Sequence, residues 1–284
     1  AANTVTNNSN AVQVNNNLTI TQGQLILNAT NANSVIGNDL VLQSAGTLTH
    51  NVNFAVSGRS LNVRGDWTNN GGVYTPGSGR VFFDGSTAQN INGTASTNFG
   101  LVTISNATGV TLGINTNVTG GTGALNFVNG LINTGSNILA LNATSTITGA
   151  AAGRYVNGNL SLGIATGNTN RIFDVGSSGG YAPITLNFTN VSTSGDVLAF
   201  TTAGDHAQIN SSTINESLSV NRTWTMANTG VSFVSANASF VFPAANIDAG
   251  ANANTFIVAQ YSAGWSYPTV SGRTATSTSV SGLT

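Results

Sequence analysis

Residues 60–63 read SLNV, 80–83 RVFF, 101–105 LVTIS and 124–127 ALNF. Each sets an apolar pair around one intervening residue: Leu61/Val63, Val81/Phe83, Val102/Ile104 and Leu125/Phe127. Two earlier doublets, Leu18/Ile20 and Leu40/Leu42, extend the series, with steps of 22, 21, 20, 21 and 23 residues. Alternation at period two means strand, because successive side chains point to opposite faces. Recurrence every 20–25 residues means a solenoid. One such coil cannot bury its own apolar face, but stacked coils share a continuous core. The reading is a parallel β-solenoid with coils of about 20–23 residues over 1–153, each doublet pointing inward.

The ladder fades at GAAAGRYVNGNLS, and an antiparallel β-sandwich is expected over 154–284. Strands are read near 182–190, 196–203, 217–227, 231–242, 255–261 and 273–280, separated by turn signals. Trp224, Phe233, Phe240, Phe242 and Phe256 are the expected core anchors. No segment carries helical apolar spacing, so the fold class is all-β: a parallel β-solenoid (β-helix) followed by an antiparallel β-sandwich.

Composition excludes several functions. Only 5% of the 284 residues are charged, lysine and cysteine are absent, and the net charge is −1. Seven scattered arginines cannot track a phosphate backbone, so no nucleic-acid partner is expected. No apolar run approaches the roughly 20 residues of a membrane span, so no membrane insertion is expected. Disulfide frameworks and cysteine–zinc sites are ruled out. Asn, Thr, Ser and Gly make up roughly half the chain. Asn recurring at coil corners can form side-chain ladders, and stacked coils disfavour charge because like charges repel across a ladder. The sequence opens AANTVTNN without a Met, and few targets for proteases and oxidants suggest an extracellular product.

Residues 60–94 (SLNVRGDWTNNGGVYTPGSGRVFFDGSTAQNINGT), 101–113 and 124–141 resemble the repetitive surface proteins secreted by Bacteroidota. RYVNGNLS (154–161), IFDVGSSGGYAPITLNFTNVST (172–193), SVNRTWTM (219–226) and NIDAGANANTFIVAQYSAGW (246–265) resemble the module that often follows such repeats. The resemblance implies export to the cell surface, commonly by the type IX route, and a role in adhesion or surface structure. In such proteins the module continues with another short strand. The resemblance therefore implies that a strand beyond SVSGLT (279–284) lies outside this sequence or comes from elsewhere.

Candidate chemistry is sparse. Asp205-His206 reads as a solvated turn. Asp248, Gly250, Asn252 and Asn254 place oxygens at alternate positions, but with one carboxylate and no acidic closing residue a turn is expected rather than calcium. Polysaccharide-cleaving solenoids need clustered acids or a strong base. Asp39, Asp66 and Asp84 hold unlike positions relative to their doublets and need not share a face, so no catalytic residue, metal or cofactor is assigned and no enzyme is expected. Trp67, Tyr74, Tyr261, Trp265 and Tyr267 could form an aromatic platform for sugars, the alternative being core packing and turn edges. Tyr261, Trp265 and Tyr267 could contact glycan, making surface polysaccharide a second possible partner. Arg222 is read as a structural hydrogen-bond donor.

A solenoid end exposes unpaired backbone, which proteins guard with caps, Pro or Lys. With no Lys and four Pro, residues 1–16 are expected to act as a donor strand, Val5, Val12 and Val14 contacting the sandwich of the next identical subunit. A head-to-tail contact that does not close gives a filament. The expected function is a self-associating subunit of an extracellular surface fibre. The alternative is an adhesin or glycan-binding module within a larger chain.

Overall fold

The computed structural model describes residues 4–284; residues 1–3 of the expected donor arm lie outside the described residues. The chain is nearly all β and divides into two compact units between Asn159 and Leu160. The division falls inside a strand, Val156–Ile164. Asn157 and Asn159 bond to Asn133 and Thr134 in the solenoid, whereas Leu160–Ile164 pair with 195–199.

The first unit is a parallel solenoid built on three columns of strands. One column stacks Leu18, Leu40, Trp67, Ile91 and Leu112 in register. A second stacks Val5, Leu25, Leu48 and Tyr74. The third stacks Val14, Ile36, Val63, Phe83, Ile104 and Phe127. Long strands such as Leu18–Ala29 and Leu40–His50 serve two columns. The doublets are buried throughout, apart from the half-buried Leu18.

The doublets do not all occupy one column. Leu18/Ile20 and Leu40/Leu42 lie in the first, and the four later ones lie in the third. The step from Leu40 to Leu61 crosses columns, and the coil there is 27 residues long, Leu40 to Trp67 and Ile36 to Val63. The extra length is an excursion over 51–59 containing a single helical turn, Phe54–Ser57. Phe54 lies across the Arg80 guanidinium at 4.8 Å and against Phe82 at 6.1 Å between ring centroids.

The interior is aromatic around Trp67, which ends the longest of these coil steps. Trp67 packs edge-on against Tyr74 and Phe99, each 4.9 Å away, and donates its indole N–H to Thr97. Trp67 and Tyr74 are therefore core and cannot belong to a surface platform for sugars. Gly93 (φ 130°) occurs where a side chain is excluded, since a Cβ there would lie 1.9 Å from the Asn69 carbonyl oxygen.

The second unit contains two antiparallel sheets. One runs Val156–Ile164, Gly195–Ala203, Arg222–Thr229. The other orders Gly167–Phe173, Ile184–Thr193, Ser232–Val241, Ser277–Leu283, Thr269–Thr274. Alternate residues of both are buried, including Leu160, Leu162, Val197, Leu186, Ala238 and Val280. Trp224 of the first sheet meets Phe240 of the second at 5.3 Å. Three expected strands differ. The stretch 273–280 is not one strand but a hairpin, with Thr269–Thr274 turning at 275–276 into Ser277–Leu283. Residues 216–218 form a 3₁₀ turn capped by the Asn215 side chain, and 253–255 form another capped by Asn252. Asx side chains that satisfy the backbone locally compete with strand pairing.

Candidate functional site

Arg222–Thr229 pairs with Gly195–Ala203 on one side and with no strand on the other among the described residues. Its start is fastened: the buried Arg222 donates to Asn246 Oδ1 at 2.8 and 2.9 Å, to Ser177 Oγ at 3.0 Å and to Thr201 Oγ1 at 3.2 Å. Beyond it the strand reads TWTMANT, without a charge.

Beside this edge, between the two sheets, lies a cleft of about 780 Å³. Phe233 and Phe240 line it from the second sheet, and Phe233 packs edge-on against Phe188 at 5.0 Å. Met226 points into it while remaining 39% exposed. Leu218, Ile257 and Tyr261 also line it and are 42–47% exposed. The cleft explains the behaviour of the expected anchors. All five line it: Phe240 and Phe242 are buried at its floor, whereas Trp224, Phe233 and Phe256 are only half-buried. Large apolar side chains gathered at one exposed place mark a binding surface.

A short hairpin, Gln260–Tyr261 with Trp265–Ser266, forms part of the wall. It brings Tyr261 and Trp265 together at 5.0 Å, with His206 at 5.0 and 5.1 Å from them. The rings meet at 46–74° instead of forming one flat platform. Trp265 Nε1 donates to Ser211 Oγ, and the Tyr267 hydroxyl accepts from Thr213 N–H at 2.8 Å. Tyr261 and Tyr267 remain 42% and 43% exposed.

The carboxylates of Asp205 and Asp248 nearby are fastened to backbone, hydroxyl and amide donors. Asp205 accepts from Ser219 Oγ at 3.0 Å. Asp248 accepts from Ser219 N–H at 2.8 Å and from Asn221 Nδ2. Asn252 caps its turn by accepting from Asn254 N–H. Among the described residues no group of three or more His, Asp or Glu side chains could hold a metal.

In the solenoid, Asp39 and Asp66 do share a corner, because each immediately precedes a first-column residue. Asp39 Oδ1 accepts from Asp66 N–H at 2.9 Å, and Asp66 Oδ1 accepts from Asn90 N–H at 2.7 Å. Asp84 follows the third-column residue Phe83 and accepts from Asn62 Nδ2 at 2.6 Å, outside the chain of bonds that joins Asp39 to Asp66. The spacing of the doublets concealed the shared corner, since they switch columns between these acids.

The expected donor-arm residues are placed in their own chain's first rungs. Thr4–Ser9, carrying Val5, pairs in parallel with 24–29, and Gln13–Val14 pairs with Val35 and Ile36. Val12 accepts from Val35 N–H at 2.8 Å. Val5 is 61% exposed, and Val12 and Val14 are half-buried. The cleft and the free edge beside it were not legible in sequence. Their one trace is Met226, the only methionine, in an otherwise small and polar strand.

Fold and cleft together define an all-β chain with a parallel solenoid and a two-sheet antiparallel unit in which, among the described residues, the Arg222–Thr229 edge lies open beside a partly exposed apolar cleft. No family model, no curated protein and no solved structure matches this chain.

Proposed function

We propose that this protein is a structural subunit that self-associates into an extracellular surface fibre. The observation that carries the reading is the edge of the Arg222–Thr229 strand, which is uncharged over 223–229 and strand-paired on one side only among the described residues, beside an apolar cleft. Such edges template pairing with another chain unless they are guarded. Composition supports a structural role, since 15 charged residues in 284 leave few groups for acid–base chemistry. The extracellular placement rests on that composition and on the resemblance to secreted surface proteins. Analytical ultracentrifugation across a concentration series, with negative-stain imaging, tests the proposal. Concentration-dependent linear assemblies are expected, and a monodisperse monomer at every concentration overturns it.

A second reading, glycan adhesion, draws support from the exposed Tyr261 and Tyr267 on the hairpin side of the cleft. It predicts saturable polysaccharide binding that Tyr261→Ala weakens at least tenfold. Unchanged binding by that variant removes it.

A further inference from the structure

Four strands of five or more residues pair on one side only among the described residues: Thr4–Ser9, Gly167–Phe173, Arg222–Thr229 and Thr269–Thr274. Two of them hold a charge beyond their first residue, Arg171 and Arg273, and a third begins on one, Arg222. Charged side chains on or behind an edge are a standard guard against pairing with a foreign strand. The other two lack this guard. Thr4–Ser9 is uncharged over its whole length, and Arg222–Thr229 is uncharged after its first residue, whose guanidinium is tied to Asn246, Ser177 and Thr201. Each unguarded edge also exposes one large apolar side chain, Val5 at 61% and Met226 at 39%.

The two edges suit each other. They contain six and eight residues, both alternate Thr with an apolar residue (Thr4-Val5-Thr6; Thr223-Trp224-Thr225-Met226), and neither brings a charge that pairing would desolvate. We infer that the Thr4–Ser9 edge of one copy docks on the Arg222–Thr229 edge of a second copy, with Val5 set against Met226 at the mouth of the cleft. Because the two edges differ, the contact is head to tail, and each copy retains one edge of each kind for the next. Docking needs no rearrangement of the first coil, since Thr4–Ser9 keeps its pairing with 24–29 and offers its other side. The inference rests on the self-associating reading and names the partner surface within it.

The chain has no cysteine, so engineered ones report without background. Thr6→Cys and Thr225→Cys chains are prepared separately and then mixed under mild oxidation at an assembling concentration. Mixed disulfide dimers are expected from the mixture and not from either variant alone. Ala227→Cys repeats the measurement at a second position. Homodimers of Thr225→Cys would show two copies pairing through the same edge and overturn the inference. Intact fibres with no mixed dimer at either position would overturn this pairing and leave self-association standing. Monomers throughout would overturn both. Independently, Val5→Lys is expected to shorten fibres at least tenfold with an unchanged thermal midpoint, and fibres of normal length from that variant also overturn the inference.

Discussion

His50 lies wholly inside the solenoid, its Nδ1 3.3 Å from the Tyr74 hydroxyl and its Nε2 without a hydrogen-bond partner. Burial disfavours the imidazolium and pushes the pKa down from 6.5 to about 4. The unfolded chain therefore takes up a proton near pH 6.5 that the folded chain refuses until about 4. Stability from this group is full above the unfolded pKa and is lost as pH falls from about 6.5 toward about 4, by roughly 3 kcal/mol. Asp174 works the other way. Burial raises its pKa despite the opposing hydrogen bond from Tyr181, so it adds stability as pH falls. Urea unfolding of the parent chain and of His50→Gln, at about pH 7 and about pH 4.5, separates the two. The parent should lose more stability than the variant between those conditions, and equal losses would show that His50 is not the acid-sensitive group.

The corner ladder acts at the scale of the element. Asn17, Asp39 and Asp66 each precede the first residue of a stacked strand, and each offers a side-chain oxygen to a backbone N–H one coil on, the last to Asn90 within the strand Gln89–Gly93. Such bonds fix the vertical register without apolar burial. Asp66→Ala leaves the Asn90 N–H without its acceptor and should cost about 1–3 kcal/mol, whereas Asp66→Asn keeps an oxygen there and should cost less. Thermal unfolding of the two variants checks this, and equal losses would mean that the column is packed, not bonded. Arg80 also ties coils together, donating to Val102 O at 2.9 Å, Thr103 Oγ1 at 3.1 Å and Gly123 O at 2.8 Å. Much of this level was legible in advance. The doublets announced the inward pairs because an apolar alternation has one stable placement when a single face is buried. What they could not announce was which side of the coil each pair occupied. A 21-residue step from Leu40 to Leu61 looks like a regular repeat, although it joins different columns. The helical turn at Phe54–Ser57 was invisible because four residues carry no period. The cleft was invisible for another reason. Trp224, Phe233 and Phe256 have the chemistry of core residues, and only the arrangement of the sheets decides that they face open space.

At the scale of the whole molecule the low charge has a measurable consequence. If contacts between copies are made by neutral backbone edges and apolar side chains, screening ions have little to act on. The association constant should stay within about twofold as sodium chloride rises from about 0.05 to about 1 M, whereas charge-based contacts would weaken steeply. Sedimentation equilibrium at both salt concentrations measures it, and a tenfold loss would point to ionic contacts instead. The 51–59 excursion has a different implication. Coils before and after it remain paired although this one is 27 residues long, and Val56 at its tip is 83% exposed. The stack thus already tolerates a passenger loop at that corner, and a foreign peptide spliced in beside Val56 would be displayed once per chain with the rungs beneath it undisturbed.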